Sequence, residues 1–147
     1  MNRIASFEVD HDIMVPGLYL SREDRVGEHV IYTYDIRVVK PNTPPFMTTT
    51  QMHSIEHLFA TYLRNKYEDV IYFGPMGCST GFYVLFSQPH TLDEVRKRVL
   101  LCCDFALNYE GKLPGESSKE CGNYKDLNLL DAKYIAQRLK TILTITE

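Results

Sequence analysis

Between Thr48 and Tyr67 the chain carries one unbroken helical pattern, and the other elements must be arranged around it. Met52, Ile55, Phe59, Tyr62 and Leu63 recur at helical spacing. Thr48-Thr-Thr50 offers an N-cap, so the spacing predicts a helix from about Gln51 to about Tyr67. A helix with one apolar stripe needs a second layer to bury it. That layer is supplied by short strands. His29–Val39 is rich in β-branched and aromatic residues, and Val70–Phe73 and Gly81–Ser87 follow the helix. Pro41–Pro45 reads as a loop, because a following proline drives a residue toward extended geometry.

Two further helices complete the pattern. Thr91-Leu-Asp-Glu94 is a capping-box signature opening a helix that ends near Gly111. Its core-facing positions are predicted to be Leu92, Val95, Val99, Cys102 or Cys103, and Ala106. Adjacent Cys102 and Cys103 are not expected to face one core together, and both read as structural. A polar loop, Lys112–Tyr124, leads to a last helix from about Leu129 to Leu143, capped by Asn128. Strands and helices mix without regular βαβ alternation. The expected fold is a single-domain α+β protein, an antiparallel β-sheet with helices packed on one face.

Composition narrows the function. The 147 residues are 44% hydrophobic and 24% charged, enough apolar area for a folded core. A net charge of -3 without a basic cluster argues against a nucleic-acid partner. No stretch approaches the roughly 20 apolar residues that span a bilayer, so no membrane partner is expected. The first residues lack a secretory pattern, and the expected location is cytoplasmic. There, four cysteines point to thiol chemistry or metal ligation rather than disulfides.

The chemistry concentrates in His53-Ser-Ile-Glu-His57. Residues four apart on a helix share a face, with Cβ atoms about 5–6 Å apart. Two imidazoles there can reach one cation at about 2.0–2.1 Å. Glu56 projects beside the metal and can relay protons. The motif is the reverse of His-Glu-x-x-His and belongs to the known metalloenzyme patterns. Cys121, in a polar loop and followed by a glycine, is a third ligand candidate. Two histidines and one thiolate leave a fourth tetrahedral position open, the mark of a catalytic zinc-type site. Cys78 lies in a glycine-flanked turn between strands, and a nearby cation would favour its thiolate and make it a general base. His29 and His90 read as surface residues, and Asp93-Glu94 with Arg96-Lys97-Arg98 as a solvated helix face.

Five blocks, in order, carry a resemblance over nearly the whole chain. They are Ser6-Phe-Glu-Val-Asp-His11, Asp35-Ile-Arg37 with Pro41-Asn42, and His53–Phe59. Pro75-Met-Gly-Cys78 with Thr80–Tyr83, and Glu120–Tyr124, complete the set. Together they resemble the S-ribosylhomocysteine lyase (LuxS) family. The resemblance implies a LuxS/metallohydrolase-like α+β homodimer with active sites at the subunit interface. It implies cleavage of S-ribosylhomocysteine to homocysteine and 4,5-dihydroxy-2,3-pentanedione, the autoinducer-2 precursor. The implied cofactor is one divalent metal per subunit, iron(II), with zinc or cobalt as substitutes. By motif, His53, His57 and Cys121 resemble the metal ligands, and Glu56 and Cys78 the acid/base pair. Ser6, His11 and Arg37 resemble substrate-site residues. Two positions depart from the family pattern. Ser79 stands where arginine or glutamine often follows the cysteine, and Tyr72 where many relatives carry aspartate.

Two other readings make different demands. An inverted-motif metallopeptidase would take a downstream glutamate (Glu110, Glu116 or Glu120) as third ligand. A purely structural metal site would be closed by four protein ligands.

Overall fold

The computed structural model describes residues 1–145. Strand β1 (Gly17–Val26) and strand β2 (His29–Arg37) form a hairpin, followed by helix α1 (Thr49–Lys66). Strands β3 (Val70–Pro75) and β4 (Gly81–Phe86) come next, then helices α2 (Leu92–Asn108) and α3 (Leu129–Ile145). All pairings are antiparallel, and the sheet order is β1-β2-β4-β3. This is the expected α+β architecture.

The strand missing from the sequence reading is β1. Its second half, Ser21-Arg-Glu-Asp-Arg25, has the composition of a polar loop. It pairs because it is an edge. A bulge between Leu20 and Arg22 shifts the register, and the charged side chains blunt an exposed rim. Gly27 at φ +63 opens the two-residue turn into β2, which a tight hairpin requires of that position.

The core lies between sheet and helices. Tyr34 and Ile36 of β2 and Phe82, Val84 and Phe86 of β4 are buried toward the α1 stripe of Ile55, Leu58, Phe59 and Leu63. Phe73 bridges the layers, 5.5 Å from Phe59 and stacked on Phe82 at 5.2 Å between ring centres. Both N-terminal capping boxes form. Thr48 and Gln51 close one on α1, and Thr91 and Glu94 close the other on α2. Asn128 Oδ1 accepts from the Asp131 amide at the head of α3.

Several expectations are corrected. Helix α2 ends at Asn108, before Gly111, and Leu92 in its first turn is 49% exposed rather than core-facing. Cys102 and Cys103 are both fully buried. Helix α2 packs against both α1 and α3. Cys102 lies near Tyr62 and Tyr67, while Cys103 lies near Lys140, so each thiol has its own neighbour. His90 is not a free surface residue: Nε2 meets Asp69 at 2.5 Å, and Arg98 reaches the same carboxylate at 3.1 Å. Arg98 also stacks 4.0 Å from the Tyr67 ring centre, so it leaves the solvated face assigned to its neighbours.

Candidate metal centre

The helical period of α1 does the first work. His53 and His57 emerge one turn apart, their rings 4.7 Å between centres and nearly perpendicular. Each imidazole is fixed at Nδ1. His53 Nδ1 meets Asp126 Oδ2 at 3.2 Å, and since a carboxylate only accepts, Nδ1 carries the proton. His57 Nδ1 donates to the Pro114 carbonyl at 2.6 Å. Both tautomers therefore leave Nε2 with its lone pair, the arrangement that supports metal-ligating histidines.

The third donor arrives from the loop after α2. Leu113 is buried and anchors it, and the chain then turns repeatedly, with the Cys121 amide donating to the Ser117 carbonyl at 3.0 Å. Gly115 passes so close to His57 that a Cβ there would lie 3.1 Å from Nδ1, and its φ of +75 also favours glycine. Cys121 Sγ ends 3.4 Å from His53 Nε2, and the Asn123 amide donates to the sulfur at 3.4 Å. The loop is tied back to α1 by Thr50, whose hydroxyl donates to Asp126 at 2.6 Å, and by buried Ser54, which accepts from the Asn128 amide at 2.8 Å.

Ligand atoms of His53, His57 and Cys121 all lie within 4.8 Å of one another. Two imidazole nitrogens and a thiolate suit a borderline-soft divalent cation, so the donor set fits the implied metal. Among the described residues this is the group that could hold one, with three protein ligands rather than a closed set of four. Two of the three glutamates that a peptidase could use are engaged elsewhere: Glu116 accepts from the Leu113 amide and Glu120 from the Ser117 hydroxyl. Beside His57, Glu56 lines a cavity of about 280 Å³ with Ala60, Thr61, Pro114 and Gly115.

A second cluster lies on the sheet face away from the helices. Arg37 is 2% exposed, far from the solvent-facing strand residue its surroundings in sequence suggest. Its Nε and Nη2 bind the two Asp35 oxygens at 3.1 and 2.5 Å, while Nη1 donates to Thr80 Oγ1 at 2.8 Å and lies 3.9 Å from Cys78 Sγ. Burial pushes the Asp35 carboxyl above its ordinary value, against the opposing pull of Arg37 and of His11. Cys78 is exposed, with Ser79 beside it at φ +64 to close the turn. His11 Nδ1 is 2.8 Å from the Val9 carbonyl. Ser6 lines a different cavity, of about 270 Å³, with Thr33, Tyr72 and Tyr83, so Tyr72 stands beside a residue expected at the substrate site. Sequence reasoning missed Asp126 and the Pro114 carbonyl, which no local pattern marks.

The family model described as S-Ribosylhomocysteinase (LuxS) matches residues 4–146. The S-ribosylhomocysteine lyase of Finegoldia magna is 45% identical over 144 residues, covering 97% of this chain and 92% of the relative. That of Clostridium beijerinckii is 45% identical over 152 aligned positions, covering 100% and 96%. A Borreliella burgdorferi relative of the same name is 40% identical over 146 positions, covering 97% and 93%.

Proposed function

Because the chain belongs to the S-ribosylhomocysteine lyase (LuxS) family, we infer that it cleaves the thioether of S-ribosylhomocysteine, releasing homocysteine and 4,5-dihydroxy-2,3-pentanedione. The observation that carries this reading is the His53, His57 and Cys121 triad, three donor atoms within 4.8 Å of one another. Iron(II) is the proposed metal, and zinc or cobalt would suit the same donors. A homodimer in the cytoplasm is part of the proposal, and no helix among the described residues is long and apolar enough to cross a membrane. The pentanedione would serve as autoinducer-2 precursor in quorum sensing.

When bound, the cation supplies Lewis-acid polarisation of a sugar carbonyl. The chain supplies proton movement. The ribose carbonyl must migrate along the carbon chain until it lies β to the carbon–sulfur bond. Each shift removes a proton from one carbon and returns one to its neighbour. Cys78 and Glu56 are the proposed acid/base groups for those transfers. In the last step a proton leaves the carbon between the carbonyl and the C–S bond. The C–S bonding pair departs on sulfur, and homocysteine leaves as thiolate. Ser6, His11 and Arg37 are proposed to line the substrate site.

Thiol release from S-ribosylhomocysteine by anaerobically purified protein, run beside metal analysis, tests the reading. Cys121→Ser is expected to lose bound metal and activity together, whereas Cys78→Ala keeps metal and loses thiol release. Metal retained at wild-type level in Cys121→Ser would overturn the ligand set.

A further inference from the structure

The donor and acceptor roles around Cys78 can be worked out from the groups that meet there. A guanidinium has only hydrogens to offer, so in its 2.8 Å contact with Arg37 Nη1 the Thr80 hydroxyl oxygen must accept. The same oxygen is 3.0 Å from Cys78 Sγ. Thr80 has one hydroxyl proton and is 2% exposed, and among the described residues its oxygen meets Arg37 and Cys78. If Cys78 donated a proton to that oxygen, the Thr80 proton would be buried without an acceptor, which is costly. The satisfied arrangement runs one way, from Arg37 to Thr80 and from Thr80 to sulfur.

Thr80 is firmly placed. Its carbonyl accepts from the Val38 and Val39 amides at 2.9 and 3.0 Å, and a Cβ on neighbouring Gly81 would come within 2.6 Å of the Ile36 carbonyl. Only glycine lets β4 approach β2 this closely, and that approach sets Thr80 beside Arg37. Asp35 fixes the other end by holding the guanidinium with both oxygens. The charged groups around Cys78 are Arg37 and Asp35 from β2, with His11 of the N-terminal segment acting on Asp35.

We propose that Thr80 is a positioning residue for the reaction: its hydroxyl, oriented by the Asp35–Arg37 pair, donates to Cys78 Sγ and keeps that sulfur a hydrogen-bond acceptor. The role in the reaction rests on the lyase reading, while the geometry does not. As a thiolate, Cys78 would be poised to take a carbon-bound proton, and the hydroxyl would fix the direction from which it does so.

The test is the pH dependence of Cys78 alkylation by iodoacetamide in the metal-loaded enzyme, read by peptide mass so that Cys121 is scored separately. Thr80→Val, which keeps the shape and removes the hydroxyl, is expected to raise the midpoint by about one pH unit or more. Thr80→Ser should restore it to near the wild-type value, and the low-pH limb of thiol release should move with it. An unchanged midpoint in Thr80→Val overturns the proposal, as does a Thr80→Ser shift as large as that of Thr80→Val. Should Thr80→Val fail to fold by near-ultraviolet circular dichroism, Thr80→Ala takes its place, and an unchanged midpoint there overturns the proposal equally. If wild-type protein releases no thiol while the midpoints move as stated, only the lyase reading falls.

Discussion

Asp126 is the side chain on which the orientation of His53 depends. It takes the Nδ1 proton of His53 with one oxygen and the Thr50 hydroxyl proton with the other. Partners of this kind typically govern metal affinity by 10–100-fold. Asp126→Ala is therefore expected to weaken metal binding by about that factor, measured by competition against a chelator, with the fold retained by circular dichroism. The two histidines were legible in the sequence because helical periodicity alone puts them on one face. Asp126 was not, for it lies 73 positions from His53, and nothing local distinguishes it from a loop carboxylate. The carbonyl that orients His57 is 57 positions away and belongs to a proline, a backbone acceptor without any side-chain signature. The burial of Arg37 was hidden for another reason. Strand alternation predicts which residues share a face, but not that the face opposite the helices is also covered. Thr33, Asp35 and Arg37 are all buried there.

At the scale of elements, helices were legible where caps and apolar stripes agree, as in α1 and α2. Strand β1 was hidden because an edge strand keeps charged side chains that resemble a loop. Helix α2 shows what a single stripe leaves out. It is flanked by two helices, so adjacent cysteines can both be buried, one toward each neighbour. Burial pushes the Cys102 thiol well up, and burial with the nearby Asp104 charge pushes that of Cys103 up to about 12. Neither forms thiolate near neutral pH. Iodoacetamide at pH 8 is expected to label Cys78 and, in metal-stripped protein, Cys121, leaving Cys102 and Cys103 unmodified until denaturant is added. Mass mapping of the labelled peptides checks this. Labelling of Cys102 or Cys103 at the rate of Cys78 would contradict the packing of α2.

For the molecule as a whole, one carboxylate joins sheet and helix layers. Asp69, at the entry to β3, accepts from His90 ahead of α2 and from Arg98 within it, and its carbonyl accepts from the Ser87 amide at the end of β4. Tyr34 of β2 adds its hydroxyl to the His90 carbonyl at 2.6 Å. Burial opposes ionisation of Asp69, but hydrogen bonds from His90 and Arg98 outweigh it and hold its carboxyl below the ordinary value. A carboxylate depressed in the folded state contributes stability above its unfolded value of about 3.9, and that contribution disappears as pH falls through the lower folded value. Asp69→Asn should therefore be less stable than wild type at neutral pH, by urea unfolding followed with tyrosine fluorescence. The gap between the two proteins should narrow below about pH 4 as the wild-type carboxylate protonates. Replacing Arg98 with methionine would remove the second donor and the cation over Tyr67 while keeping much of the side-chain packing. A stability gap for Asp69→Asn that is constant from pH 7 to pH 3 would mean that the carboxylate joins the layers by shape alone and that its charge contributes nothing.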